Sequence, residues 1–194
     1  HLRRFASERS LPHLLITGPH GTGKSAAIEG LARALYDDTW TGNTTILDCP
    51  ALFLGGKAAL AAEERFVHLY RKDEGLSANF KRIVGWYASL RPLEAGFKLL
   101  VLDGAHALPR EIQQALRRTL ERHSATCRFI LVTTNQSAII PAIASRCLPL
   151  PFAPVEGPVA LAVLGRILDA EAPGRRQELG EEVELIVHAS GGDL

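Results

Sequence analysis

A glycine-rich loop between an apolar run and a helical pattern constrains the fold of this chain more than any other feature. The loop follows Leu11–Thr17 and reads Gly18-Pro19-His20-Gly21-Thr22-Gly23-Lys24-Ser25. Glycines let a backbone fold around phosphate oxygens with its N–H groups pointing inward, and a following helix adds its positive dipole end. In this pattern Lys24 reaches the outer phosphates and the Ser25 hydroxyl binds Mg²⁺. The full pattern in this context favours a nucleoside triphosphate site over a chance glycine turn.

Hydrophobic periodicity elsewhere predicts strands that alternate with helices. The predicted strands are Leu11–Thr17, Thr44–Asp48, Lys98–Asp103, Arg128–Asn135 and Leu148–Phe152. The predicted helices between them are Lys24–Tyr36, Glu63–Lys72, Ser77–Leu90, Pro109–His123 and Ser137–Ser145, the last bent or broken by Pro141. Such alternation predicts an α/β fold with a mostly parallel sheet that helices cover on both faces.

The pattern changes at Pro154-Val155-Glu156-Gly157-Pro158, which is typical of a hinge. Beyond it only helices are predicted, at Val159–Ala170 and Glu181–Ala189. We therefore expect a nucleotide-binding α/β domain over residues 1–154 and the beginning of a helical lid domain, truncated, over residues 155–194. The absence of methionine and the ending at Gly192-Asp193-Leu194 suggest a piece of a longer protein.

The composition argues against several classes of protein. The three cysteines, Cys49, Cys127 and Cys147, are far apart and lack metal-ligand spacing, so we expect a reducing cytoplasmic setting with neither disulfides nor zinc. No apolar run approaches the roughly 18 residues of a membrane span. The formal net charge of +1 neither favours nor excludes a nucleic-acid partner.

Asp103 ends an apolar strand, where P-loop proteins carry an aspartate that holds magnesium. The alternative is an aspartate that forms a turn. Many ATPases of this build have a glutamate as general base at the next position, which is Gly104 here. Glycine cannot accept a proton, and His106 is more typical of a solvated turn. Hydrolysis at this site is thus in doubt, and Gly104→Glu should accelerate it if only the base is missing.

Two further residues follow the next predicted strand. Asn135 lies at the carboxyl edge of the sheet, where it could contact a phosphate or instead cap the following helix. Arg146, in Ser145-Arg146-Cys147, is either a surface residue or an arginine offered to a neighbour's phosphate.

Basic residues cluster at Lys81 and Arg82, and again at Arg117, Arg118 and Arg122. Charged helix faces are usually only solvated, so DNA contact by either cluster remains one of two interpretations.

Four stretches together resemble the small subunit of the archaeal and eukaryotic sliding-clamp loader, replication factor C, within the AAA+ ATPases. They are Leu11–Leu15, the Gln-Gln-Ala-Leu-Arg-Arg-Thr-Leu-Glu run at Gln113–Glu121, Cys127–Phe129 with Asn135 downstream, and Ile139–Cys147. The resemblance runs from about Leu11 to Phe152. We expect a specialised, divergent second type of small subunit in an archaeal complex.

The resemblance implies an AAA+ (RecA-like) fold that binds ATP with Mg²⁺ through the loop, Ser25 and Asp103. Asn135 corresponds to sensor 1, and Arg146 corresponds to the arginine finger that acts in the adjacent subunit's ATP site. It also implies a ring of large and small subunits that loads a sliding clamp onto primer-template DNA. Lys81 and Arg82 would then face the DNA, in a cytoplasmic, nucleoid-associated complex of an archaeal cell.

Three departures from the family pattern matter. Asp103-Gly104-Ala105-His106 stands where the family has Asp-Glu-Ala-Asp. The segment from Asp48 to Glu64 differs from the usual pattern, so we carry no DNA contact over to it. Three features of the family fall outside the sequence. They are the sensor 2 arginine that follows the Gly192-Asp193 pair, the N-terminal segment beside the adenine, and the C-terminal collar that assembles the ring.

Three other hypotheses remain open. The chain could be a nucleotide-regulated structural AAA+ subunit without hydrolysis, although such clamp-loader subunits usually have a damaged phosphate loop. Another AAA+ DNA motor, such as a branch-migration helicase, fits Ser145-Arg146-Cys147 less well. A small-molecule P-loop kinase lacks support because no acceptor-binding lid motif is visible.

Overall fold

A computed structural model describes residues 2, 4, 5, 10–93, 95–171 and 180–190. Its centre is a five-stranded sheet with the strand order β2-β3-β4-β1-β5. The strands are β1 (Leu14–Thr17), β2 (Thr44–Asp48), β3 (Lys98–Asp103), β4 (Cys127–Thr133) and β5 (Leu148–Pro151). The pairs β2–β3, β3–β4 and β4–β1 are parallel, which confirms the predicted fold class.

Helices connect the strands, and short 3₁₀ turns stand beside several of them. The helices are α1 (Lys24–Tyr36), α2 (Trp40–Asn43), α3 (Cys49–Ala62), α4 (Leu76–Ser89), α5 (Arg110–Arg122), α6 (Pro141–Ala144), α7 (Gly157–Glu171) and α8 (Gly180–Ser190). The 3₁₀ turns are Asp37–Thr39, Glu64–Leu69, Ala105–Ala107 and Gln136–Ala138. In the part of the chain that the structure describes, none of the helices has the length and apolarity needed to cross a membrane.

The central strands are apolar without interruption because both faces of the sheet are buried. Residues 99–102 of β3 and 129–133 of β4 are buried throughout. Side chains alternate between the two faces, and one set joins a core with α3, α4 and α5 that contains Phe66, Phe80 and Phe129. Burial of this much apolar surface, worth about 25 cal/mol for each Å², fixes the strand register and thereby the residues at the strand ends.

Three local predictions differ from the structure. Helix α3 was not predicted, since Pro50 and Gly55-Gly56 interrupt the helical pattern, and Gly56 indeed breaks the helix with a φ of 64°. The predicted helix Glu63–Lys72 is a 3₁₀ helix over Glu64–Leu69. Pro141 does not bend a longer helix but begins α6, because a proline fits the first turn of a helix.

The chain divides into two compact units, with residues 26–150 and β1 in the first. The second unit contains Gly18–Ser25 and the chain from Pro151 onward. Within it Gly18 packs so closely on Phe152 that an added Cβ would lie 3.0 Å from the Phe152 Cβ. The division at Pro151 falls near the domain boundary predicted at residue 154, but the sequence did not predict that the phosphate loop would group with the later segment. The Gly192-Asp193-Leu194 stretch lies outside the described residues.

Candidate functional site

The phosphate loop is a tight turn that surrounds its own lysine. Gly18, Gly21 and Gly23 have φ values of 152°, 63° and 80°, a region that residues with side chains rarely adopt. Lys24 is a buried residue, 8% exposed, and its ammonium donates to the Pro19 carbonyl oxygen and, at 3.4 Å, to the Thr22 hydroxyl. The loop therefore holds a cation at its centre with backbone oriented around it. A cation beside a turn of this kind is complementary to the negative charge of a phosphate group.

Parallel register places four polar residues of the first unit, among them the predicted Asp103, at one edge of its sheet. Asp48 of β2 pairs with Asp103 of β3, and Thr17 of β1 pairs with Thr133 of β4. All four are strand ends, and in open α/β sheets this carboxyl edge carries the ligands. The Asp103 carboxylate is half-buried and accepts a hydrogen bond of 2.8 Å from the N–H of Gly104.

Among the described residues no group of three or more His, Cys, Asp or Glu side chains could hold a metal ion. Magnesium is commonly bound by one or two protein oxygens together with the phosphates of its nucleotide. The Ser25 hydroxyl and the Asp103 carboxylate are each an oxygen donor of the kind that Mg²⁺ prefers.

Gly104 is held in a left-handed turn, with φ 63° and ψ 38°. A Cβ added there would lie 2.5 Å from the Pro50 Cγ and closer still to the Pro50 Cδ, which is too close for real atoms. The expectation for Gly104→Glu assumed that only the base is missing, and the structure adds a steric obstacle to that substitution. A glutamate at this position meets both an unfavourable backbone conformation and a proline ring.

Asn135 caps the 3₁₀ turn that follows β4. Its side-chain oxygen accepts hydrogen bonds from the Ser137 N–H at 3.1 Å and the Ser137 hydroxyl at 2.7 Å. The capping interpretation is thus seen in the structure. The side-chain nitrogen of Asn135 makes no hydrogen bond within residues 10–93, 95–171 and 180–190. This donor is therefore available to a ligand. The exposed His106 approaches the Thr133 hydroxyl at 3.4 Å.

Arg146 is bound within its own chain by a carboxylate on α5. Its Nε and Nη2 each lie 2.6 Å from Glu121 Oε1, and its Nη1 donates to the Ala142 carbonyl oxygen at 2.7 Å. The pKa of the Glu121 carboxyl is lowered, mainly by the hydrogen bond from Arg146 and further by nearby Arg117. The arginine side chain is 29% exposed, so its guanidinium is oriented but reachable.

The two basic residues predicted to contact DNA both pair with carboxylates. Lys81 donates to Glu111 at 2.7 Å. Arg82 contacts Glu74 and donates to the Leu69 carbonyl oxygen at 3.3 Å. Arg82 thereby braces the segment before α4, whereas Lys81 makes a more exposed surface ion pair.

Sequence reasoning missed the buried Gln113, which is 1% exposed. Its amide nitrogen donates to the carbonyl oxygens of Leu108 and Ala138, and its oxygen accepts from the N–H of Ile140. The side chain thus joins the start of α5 to the segment that carries Asn135 and leads to α6. A glutamine at an otherwise apolar helix position was the available signal.

A protein-family model described as DNA polymerase III, delta subunit, matches residues 1–156. The chain belongs to the clamp-loader family of DNA replication. It is 36% identical over 191 residues to a replication factor C small subunit from Methanocella arvoryzae, covering 98% of this chain and 52% of that protein.

Two further archaeal relatives carry the same description. The small subunit from Methanococcus maripaludis is 34% identical, with 100% of this chain and 54% of the relative covered. The one from Archaeoglobus fulgidus is 33% identical, with 100% and 53% covered. The resemblance to replication factor C is therefore confirmed, and the chain spans about half the length of the curated relatives it matches.

Solved structures show the same fold at low sequence identity. A gamma subunit-related protein of DNA polymerase III from Thermotoga maritima superposes with a TM-score of 0.58 at 13% identity, over 99% of this clamp-loader chain and 57% of that one. The Orc1 protein of Aeropyrum pernix, solved in complex with DNA, gives 0.60 at 18% identity, over 97% and 59%. RuvB from Thermotoga maritima gives 0.54 at 16%, over 87% and 47%. The predicted AAA+ fold is confirmed.

Proposed function

We propose that this chain is the ATP-binding part of a replication factor C type small subunit and that it binds ATP through its phosphate loop. The observation that carries the proposal is the enclosed Lys24 ammonium in a loop of positive-φ glycines. When bound, MgATP would supply the triphosphate whose oxygens this loop holds. Gly18, Pro19, His20, Gly21, Thr22 and Gly23 form the turn that binds its phosphates.

The roles of the remaining residues follow from their chemistry. Lys24 would exchange its contact with the Pro19 oxygen for the outer phosphates, and Ser25 and Asp103 would each offer an oxygen ligand to Mg²⁺. The free amide nitrogen of Asn135 is the donor for a terminal phosphate oxygen, while its oxygen keeps the cap on Ser137. Ligand binding at Asn135 and helix capping are therefore compatible.

Arg146 acts outside its own chain in this proposal. Its guanidinium leaves Glu121 and binds a phosphate of ATP held by the adjacent subunit, where it stabilises the charge of the transferring group. Because both contacts are charge-assisted, the exchange replaces one carboxylate partner with a phosphate partner of similar strength.

The assembled complex includes large and small subunits and loads a sliding clamp onto primer-template DNA. Lys81 and Arg82 contribute sequence-independent contacts to DNA phosphates. To do so, Lys81 gives up its ion pair with Glu111. Hydrolysis at this chain's own site is slow or absent, because Gly104 offers no general base.

Replacing Lys24 tests the nucleotide site directly. In the full-length protein, Lys24→Ala should weaken ATP binding by about 10–100-fold, since it removes a charged hydrogen bond to phosphate. Isothermal titration with MgATP measures the change. The matched control is Lys57→Ala, which removes an exposed lysine that donates to the Lys72 carbonyl oxygen and should leave the affinity unchanged. Equal affinities for the Lys24 variant and the native protein would contradict the proposal.

A further inference from the structure

We infer that Pro50 and Gly104 form a steric interlock that keeps a general base out of this chain's own ATP site. The inference rests on the proposed nucleotide-binding function and deepens it. It joins two departures from the family sequence, the divergent segment that begins at Asp48 and the glycine after Asp103, into one structural feature.

The strand register brings the two residues together. Asp48 and Asp103 are partners at the ends of the neighbouring parallel strands β2 and β3. The chain leaves both strands at the same edge, so the residues that follow lie side by side. Pro50 enters α3 on one side while Gly104 turns into the 3₁₀ helix Ala105–Ala107 on the other.

The contact leaves no room for a side chain at position 104. An added Cβ would lie 2.5 Å from the Pro50 Cγ, and the His106 Cε1 bounds the same space at 3.8 Å. The left-handed backbone at Gly104 adds a second penalty for any residue with a Cβ. The steric contact depends on Pro50, whereas the backbone penalty does not, so the two can be separated by experiment.

The proline cannot easily move aside. Asp48 caps α3 by accepting a 2.9 Å hydrogen bond from the Ala51 N–H, and Pro50 stands in the first helical turn between them. The neighbouring Cys49 is fully buried in the core. Both flanks of Pro50 are thus fixed, and its ring has a single φ range in which to sit.

The consequence for catalysis is that two changes, not one, are needed to restore a base. A carboxylate at position 104 would accept the proton of the water that attacks the terminal phosphorus, as the bond from that phosphorus to the leaving nucleoside diphosphate breaks. With Pro50 present the side chain cannot take this place without displacing the start of α3. Pro50→Ala removes both ring atoms that cause the contact.

The interlock itself is tested by a double-mutant cycle on thermal stability. In the full-length protein Gly104→Ala should lower the Tm by roughly 5 °C or more when Pro50 is present. In the Pro50→Ala background the same change should lower it by clearly less, because only the backbone penalty remains. Equal shifts in the two backgrounds would overturn the interlock, whatever the function of the site.

Hydrolysis by the complex, with the other ATP sites disabled, tests the catalytic consequence. Pro50→Ala/Gly104→Glu should turn over ATP at least about 100-fold faster than Gly104→Glu alone, the range that a general base contributes. ATP affinity is measured for each variant. If the double variant binds ATP and folds but remains as slow as the single one, the inference about catalysis is wrong while nucleotide binding stands. If neither these variants nor the native protein binds ATP, the proposed function fails and the inference fails with it.

Discussion

Hydrogen bonds to two backbone groups fix the imidazole ring of His13 in one tautomer. Its Nδ1 accepts a 3.0 Å hydrogen bond from the Phe129 N–H, so its Nε2 carries the proton donated to the Leu120 carbonyl oxygen at 3.1 Å. Burial lowers the pKa of the ring, the bond to Leu120 opposes this, and nearby Arg128 lowers it further. His13 therefore joins β1, β4 and α5 as a neutral group.

Stability should consequently fall on acidification. The pKa of His13 is lower in the folded state than in the unfolded chain. The contribution of His13 to the free energy of unfolding is therefore complete above about pH 6.5 and declines as the pH falls below that value. Each unit by which the pKa is lowered is worth about 1.4 kcal/mol. Urea unfolding at pH 7.5 and 5.5 measures the loss, which His13→Gln should reduce.

The exposed His188 provides a control for this measurement. His188→Gln should leave the difference in unfolding free energy between the two pH values unchanged. A pH dependence that is the same in His13→Gln as in the native protein would show that His13 is not its source.

At this scale the sequence predicted residues that belong to one local motif and missed pairs that are distant along the chain. The phosphate loop was predictable because its glycines, lysine and serine are consecutive. The contacts of Arg146 with Glu121 and of Pro50 with Gly104 depend on tertiary packing. No local pattern marks the two members of such a pair as partners.

Helix α5 and the segment after β4 are held together by the three hydrogen bonds of Gln113. This segment carries Asn135 and continues into α6. We call the buried side chain of Gln113 a polar staple. It stabilises one arrangement of α5 and the segment, because any other arrangement leaves buried donors or acceptors unpaired.

Removing the staple should be destabilising. Gln113→Leu leaves the Leu108 and Ala138 oxygens and the Ile140 N–H without this partner, so we expect a loss of about 2–4 kcal/mol in the free energy of unfolding. Denaturant titration measures it. The adjacent Gln114 is exposed, and Gln114→Leu should change stability by no more than about 0.5 kcal/mol. Similar losses for the two variants would argue against the staple.

Element predictions succeeded where periodicity was uninterrupted. The strands Thr44–Asp48 and Lys98–Asp103 and the helix Lys24–Tyr36 agree with the structure at both ends. Helix α3 was missed because Gly55-Gly56 interrupts the helical pattern, and two adjacent glycines are typical of a loop. Its stability comes from the Asp48 cap and from burial of Cys49, Leu52 and Leu60, which are tertiary effects.

On the scale of the whole molecule, Arg146 is the residue that we propose to act in an adjacent subunit. We expect Arg146→Ala to slow ATP turnover at the adjacent subunit's site by about 10³-fold or more, the range found for arginine fingers. ATP binding by the chain that carries the change should be retained, since the residue serves another site. Single-turnover hydrolysis by the reconstituted complex measures the first quantity, and titration of the variant subunit measures the second.

Arg117 supplies the matched control, because it also approaches Glu121, at 3.7 Å, but is not proposed to reach a nucleotide. Arg117→Ala should leave turnover by the complex close to native. Native turnover in the Arg146 variant, or an equal loss in both variants, would contradict the assignment of Arg146 as the finger.

The division of the chain into units shows what a linear reading can miss. A change from alternating strands and helices to helices alone indicated a boundary near residue 154. That Gly18–Ser25 belongs to the unit of the later segment depends on the close approach of Gly18 to Phe152, which no periodicity encodes.

The contact between Pro50 and Gly104 also bears on which single mutations could change hydrolysis at this site. A lineage that altered Gly104 first would press a new side chain against the proline ring, and one that altered Pro50 first would gain nothing at the site. On the inference drawn above, neither substitution alone gives faster hydrolysis. A subunit that carries both residues therefore needs two substitutions, at positions 50 and 104, before it can hydrolyse ATP independently.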